Sequence, residues 1–240
     1  MVKRFSRACG KVDCFGQLGD RLDVVELNES FNVFLPLSAV WERLRLPFES
    51  SAGRCRVPGF PSIDGDPGCL LLVEDDEPQK RLAGTKADPP SAGTRIDIEI
   101  GPANASGWPT RLSLAQSGFE APLADLPDFL NAHWRRIVAD FRLYVEHGVT
   151  APPAVWRASL GATTRETPTG LAVRDVEPEA YADRCGMQED DILLTLAGVR
   201  ILDTAELWTV LSMLAPGDLA TATWVRDGAV LESESVLGGY

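Results

Sequence analysis

His133 and His147 are the two imidazoles in this chain of 240 residues, so any acid–base chemistry built on histidine must use one of them. His133 falls on a segment with helical apolar periodicity, among polar neighbours. His147 stands beside Gly148 at that segment's end, where an imidazolium would meet the negative end of a helix dipole. Neither is matched by a primed nucleophile. The string "AQSGFE" around Ser117 is not G-x-S-x-G or G-N-S-G-G, and it belongs to a strand end. The acidic string Glu74, Asp75, Asp76, Glu77 lacks the alternating ligand spacing of a calcium loop and reads as a solvated turn. The five cysteines, Cys9, Cys14, Cys55, Cys69 and Cys185, are odd in number and form no C-x-x-C. With two histidines they complete no zinc set, so reduced, buried thiols are expected. No Walker or dinucleotide glycine pattern occurs. The expectation is no catalytic set, no metal and no cofactor.

Composition is that of an ordinary folded globular protein. Hydrophobic residues make up 45% and charged residues 24%, enough to bury a core in one large domain or two smaller ones. A formal net charge of −12 argues against a nucleic-acid surface, which needs clustered Lys and Arg. The start, "MVKRFSRACGKVDCFGQLGD", carries basic residues without the apolar stretch of a secretory signal. No run reaches the roughly 18 apolar residues of a membrane span. A soluble, cytoplasmic protein is expected.

The elements that would position a site fall into two groups, divided near Ala151 in "EHGVTAPPAV", where Gly148, Pro152 and Pro153 end a helix. Residues 1–150 form the first domain and 151–240 the second. In the first, "RLDVVELNESFNVF" is extended. "PLSAVWERLRL" is a helix with Pro36 in its first turn, Ser38 as a candidate cap, and Val40, Trp41 and Leu44 on one face. "CLLLVED", "TRIDIEI" and "PTRLSLAQSGF" are strands, and Ile96, Ile98 and Ile100 alternate with Asp97 and Glu99. A long helix follows, "DFLNAHWRRIVADFRLYVEHG", with Asp128 as a candidate cap. Leu130, Trp134, Ile137, Val138, Phe141 and Val145 form its stripe. The fold class is α+β: an antiparallel sheet wrapped on a long C-terminal helix. This order, with "SAVWERL", "GWPTRLSLAQSGFE" and the Trp134 stripe, resembles the START-like (SRPBCC) helix-grip superfamily over roughly residues 22–148. The branch it resembles is that of the heat-shock-protein ATPase activator homologues. The resemblance implies a cavity between sheet and helix, lined by Trp41, Trp108, Phe119, Trp134 and Phe141. Aromatic residues at these periodicities also serve simply as core.

Residues 159–228 resemble a PDZ domain of the HtrA-like type, a small barrel or sandwich with two helices that adds a peptide to its sheet as a strand. The resemblance rests on "SLGA", on "TGLAVRDVEPEAYADRCGM" and on "EDDILLTLAGVRI", which has Asp190 where glycine is common. Leu171, Val173, Val176, Ala182 and Met187 are the expected core. In the second helix, Asp203-Thr204 and Glu206 form a capping arrangement, and Leu207, Leu211 and Leu214 make a stripe. Asp227-Gly228 marks a closing hairpin. The family's groove would then consist of Ser159, Leu160, Gly161 and Ala162 in the carboxylate loop, Thr163 and Thr164 on the edge strand, and Glu206, Val210 and Met213 on the helix. Glycine lets backbone N–H groups approach a carboxylate.

The combined expectation is a non-enzymatic cytosolic adaptor, with a groove for a C-terminal or extended peptide segment and a START-like part for an apolar ligand or client protein. Two alternatives belong to other classes. One is a cyclase- or dehydratase-type enzyme acting on a hydrophobic small molecule in the first domain, and the other is a chaperone cofactor. The tail "VLGGY" could also enter a neighbouring copy's groove.

Overall fold

Alternating and helical apolar patterns settle into two sheets, each with its own buried cluster. The computed structural model describes residues 25–45, 48–49, 53–60, 68–89, 91–103, 107–120, 123–150 and 158–239. The proposed boundary at Ala151, Cys9 and Cys14 lie outside them. The first part contains β1 (Glu26–Val33), α1 (Leu37–Arg45), β2 (Phe48–Glu49), β3 (Arg54–Val57), β4 (Cys69–Glu77), β5 (Arg81–Lys86), β6 (Arg95–Pro102), β7 (Thr110–Ser117) and α2 (Pro127–His147). Its strands form one antiparallel sheet in the order β1-β7-β6-β5-β4-β3-β2.

Ile96, Ile98 and Ile100 all face inward, as period-two alternation requires. They meet Leu112 and Leu114 of β7 and the α2 stripe of Leu130, Trp134, Ile137, Phe141 and Val145. The loop after β3 lies directly on α2: a Cβ at Gly59 would come within 2.4 Å of the Phe141 backbone nitrogen, so only glycine fits. Arg43 of α1 donates to the Val145 carbonyl at 2.6 Å, and Tyr144 Oη donates to the Arg43 carbonyl at 2.8 Å. These bonds tie α1 to the end of α2.

Three local expectations need correction. Asp128 is not the cap of α2: Leu126 holds that position without a side-chain bond, and Asp128 lies in the first turn. Ser38 likewise sits inside α1. The acidic string is strand, not turn, because it ends β4, and all four of its carboxylates are paired, Glu77 with Lys80 at 3.9 Å. Glu74 meets Arg95 at 2.5 Å and Asp75 meets Arg81 at 2.8 Å, while Asp76 pairs with Arg45. Gly148 does end α2, at φ 72°, with its N–H bonded to the Tyr144 carbonyl.

The second part contains β8 (Ala158–Ser159), β9 (Ala162–Thr167), β10 (Gly170–Val176), α3 (Tyr181–Cys185), β11 (Ile192–Leu196), β12 (Val199–Arg200), α4 (Thr204–Met213), β13 (Leu219–Arg226), β14 (Ala229–Val236) and β15 (Gly238–Gly239). The main sheet runs β14-β13-β11-β10-β9, with β12 beside β11. It is open at β14 and β9, so the expected barrel is not closed. Leu171, Val173, Ala182, Met187, Leu207 and Leu211 fill its core. Asp190 adopts φ 69°, the left-handed conformation that glycine would take without strain. The Asp227-Gly228 turn has positive φ at both residues, as a two-residue hairpin of type I′ requires. Gly238 and Gly239 pair with Ser159 and Ala158 of the same chain, so the described tail is already used internally.

The whole is a mixed α+β structure, mostly antiparallel, with four α-helices among the described residues. No described helix is long and apolar enough to cross a membrane.

Candidate functional site

The site begins at the turn between β8 and β9. Gly161 has φ 65°, and a Cβ there would lie 2.1 Å from the Ala180 Cβ, so the turn is pressed against the residue preceding α3. Its N–H donates to Ser159 Oγ at 3.1 Å. Its carbonyl and that of Leu160 accept from Glu177 and Ala182. Leu160 itself is core. From this turn β9 runs along the sheet's end, paired only with β10 among the described strands. Alternation puts Ala162, Thr164 and Glu166 on one face and Thr163 and Arg165 on the other. The first face is the one toward α4, because Glu166 accepts from the Thr204 N–H there at 3.3 Å.

Thr204 therefore marks the flank of α4 that looks across at β9. Asp203 caps the helix, accepting from the Glu206 N–H at 2.8 Å. Ser159, Gly161, Ala162, Thr163 and Thr164 thus follow one another through the β8–β9 turn and along the start of β9.

Glu206 and Val210 are buried on α4 beside α2, and Met213, half-buried, is the last residue of that helix. Glu206 accepts from Arg142 Nη1 at 2.5 Å and from the Leu202 N–H at 2.6 Å. A cavity of about 10 Å³ beside this contact is lined by Val210 and Glu206 and by Ala139, Arg142 and Leu143 of α2. The physical reason is that α4 is covered on two sides, by its sheet and by α2. The meeting of Glu166 with the start of α4 at Thr204 was not anticipated, because the two residues are 38 apart in sequence and no local pattern joins them.

Polar pairs run along the α2–α4 contact. Arg200 meets Glu146 at 3.2 Å, Thr209 Oγ1 donates to Asp140 at 2.6 Å, and Arg136 donates to Ser212 Oγ at 3.1 Å. Next to Arg136, Arg135 meets both carboxylate oxygens of Glu166 at 2.9 Å. Adjacent arginines of α2 thus reach two elements of the second part, Arg136 to α4 and Arg135 to β9. Burial raises the Glu206, Glu146 and Asp140 carboxyls above the usual carboxylate range, against the pull of Arg142 on the first two and Arg136 on the third. Glu166 moves the other way, lowered chiefly by its bond to Arg135.

Of the residues assigned to a cavity in the first part, Trp41, Trp134 and Phe141 are buried in one cluster, and Phe119 packs at its margin. Phe60 meets Trp134 edge-on at 6.0 Å, as Phe31 meets Phe141 at 6.4 Å. Trp108 is elsewhere. It stacks on Phe34 at 3.8 Å with the Arg200 guanidinium 4.4 Å from its ring, so it joins the contact between the two parts. Beside this stack lies a cleft of about 510 Å³ lined by Phe34, Leu35, His147, Leu194, Arg200 and Leu202.

Catalytic geometry does not assemble around the histidines. His133 stacks on Phe129 at 5.8 Å, and burial lowers its pKa. His147 is lowered by burial and by Arg43 and Arg142. His147 is the basic residue of the last turn of α2, and Arg43 also serves that end through the Val145 carbonyl. Cys55, Cys69 and Cys185 are free and buried, and burial pushes the first two thiols up to about 12. No group of metal-ligating side chains occurs among the described residues.

No family model matches the chain. Among curated proteins it is similar to a probable periplasmic serine endoprotease, DegP-like, from Ectopseudomonas mendocina (strain ymp). The two are 26% identical over 156 residues, covering 60% of this chain and 33% of that one. The chain therefore spans about a third of that relative's length. Among solved structures, the HtrA3 PDZ domain bound to a phage-derived ligand covers 34% of this chain and 88% of its own, at 23% identity and TM-score 0.28. The Aha1 dimer from Colwellia psychrerythraea covers 52% of this chain and 98% of its own, at 15% identity and TM-score 0.36. These likenesses are weak.

Proposed function

We propose that this chain is a non-enzymatic adaptor whose second, PDZ-like part takes an extended peptide end as an added strand along β9. The observation that carries this reading is the course of β9. It starts at a glycine turn, ends the sheet, and has α4 across from its inward face. An edge strand offers unpaired N–H and C=O groups, and a facing helix supplies pockets for alternate side chains. The peptide partners of HtrA-type neighbours are consistent with this reading and belong to those proteins. Residues 1–150 are proposed as a START-like helix-grip unit that carries the groove through α2, and 151–240 as the PDZ-like unit. Free, high-pKa thiols suit a reducing, cytosolic setting.

The test is phage display of C-terminal heptapeptides on the full chain, with amidated synthetic copies of the winners as controls. Thr164→Trp keeps strand propensity while filling the groove face, and it should abolish capture with an unchanged circular dichroism spectrum. Equal capture by wild type and Thr164→Trp would overturn the proposal. A second reading for the first part, binding of a small, largely apolar molecule that carries a hydrogen-bond acceptor, is favoured by Trp134 Nε1, a donor buried without a partner. Native mass spectrometry of the freshly purified chain would detect such a passenger, and a bare mass would count against it.

A further inference from the structure

The far end of the groove is marked by charge. Glu166 is the last residue of β9 to face α4, and its carboxylate is held by Arg135 from α2 and by the Thr204 N–H. The Arg135–Glu166 pair is open to solvent, with side chains 55% and 41% exposed. Such a pair contributes little and exchanges readily. Arg135 also feels Asp203 and Glu29, so this end of the groove is acidic wherever that arginine is drawn away. The whole chain carries a net charge of −12.

Strand geometry converts this into a sequence position. A peptide added antiparallel to β9, with its carboxylate at the Gly161 turn, sets its last residue opposite Ala162. Roughly four residues earlier it comes opposite Glu166. Residues directly opposite in an antiparallel pair share a face, so that peptide side chain points, like Glu166, toward α4 and the overhanging α2. Opposite charges at such a pair attract and like charges repel.

We propose that the groove selects extended peptides with Arg or Lys four residues before the C-terminal residue, the basic side chain taking Glu166 over from Arg135. Arg135 is then an internal stand-in for the ligand's own cation. It bridges from α2 to β9 when the groove is empty and must yield when a peptide enters. This inference rests on the peptide-binding reading above and adds the chemistry of the occupant.

The experiment is selection of C-terminal heptapeptides on the full chain, followed by anisotropy titration of the winner resynthesised with Arg, Gln or Glu at that position. Enrichment of Arg and Lys there is expected. Arg→Gln in the peptide should weaken binding by about two- to fivefold, as for an exposed pair. Glu166→Gln should erase the preference and Glu166→Arg should turn it toward Asp and Glu. Arg135→Ala should tighten the basic peptide by about twofold by removing the competitor, an effect that a purely structural arginine would not give. Winners with a constant apolar end and no charge preference would overturn this inference and leave the groove reading standing. Failure to enrich any C-terminal sequence would overturn both.

Discussion

Arg142→Met tests whether the two parts are held by a buried charge contact. Arg142 is 9% exposed and Glu206 8%, and they meet at 2.5 Å. Glu146, one turn along α2, is 3.8 Å from the Arg142 Nε. Removing the guanidinium leaves two carboxylates, both already raised by burial, facing each other without their shared cation. Breaking a buried pair in this way costs about 3–5 kcal/mol. For a chain of this size each kcal/mol moves Tm by roughly 2–4 °C, so the variant should melt roughly 6–20 °C lower at pH 7.5. The double variant Arg142→Met, Glu206→Met replaces the pair with apolar volume and should recover most of the loss. The sign with pH is also fixed. Glu206 has a raised folded pKa, so protonation favours the folded state, and that stabilisation is present at low pH and lost as pH rises through the folded pKa. The deficit of Arg142→Met should therefore shrink at pH 5. Scanning calorimetry of the parent, Arg142→Met, Glu206→Met and the double variant gives the cycle directly. A single-variant loss under about 1 kcal/mol, or a double variant showing the simple sum, would refute a buried, coupled pair.

Two further outcomes follow from positions where the backbone or burial is demanding. Gly161→Ala combines a left-handed φ with a 2.1 Å approach to the Ala180 Cβ, and should lower stability by at least 1–2 kcal/mol, about the left-handed strain alone. Adding Ala180→Gly should restore only the steric part, so full rescue in urea titrations would show that φ does not matter there. His133 and His147 both have lowered folded pKa values. Their contribution is present above the unfolded value of about 6.5 and lost as pH falls below it. Melting curves of His133→Gln, His147→Gln should lose the fall in Tm that the parent shows between about pH 6.5 and 5. An unchanged profile would remove histidine from the account.

Period-two and helical patterns made most elements legible in the sequence. The clean Ile96, Ile98, Ile100 alternation is β6, and the Trp134–Phe141 stripe is the buried side of α2. β5 was missed because "RLAGTK" has a glycine in its middle and no clear alternation. Gly84 is there because a Cβ would lie 2.1 Å from the Leu72 carbonyl oxygen. The acidic end of β4 looked like a turn because cross-strand arginines, far off in sequence, neutralise it.

The helix of the groove shows a deeper limit. In α4, Leu207 and Leu211 announce the core, but Glu206, Thr209, Val210 and Ser212 are buried as well. A helix covered by a sheet below and by α2 above has little polar face left, so hydrophobic periodicity cannot say which flank meets β9. What decides it is a single long-range bond, Thr204 N–H to Glu166, between residues 38 apart in sequence. That bond puts the start of α4 beside β9, and the bonds of Glu206 to Arg142 and of Ser212 to Arg136 put its length against α2. Val210 therefore belongs with Arg142, to the joint between the parts. A Val210→Glu variant would perturb that joint and say nothing of the groove, whereas Thr164→Trp reports on the groove alone.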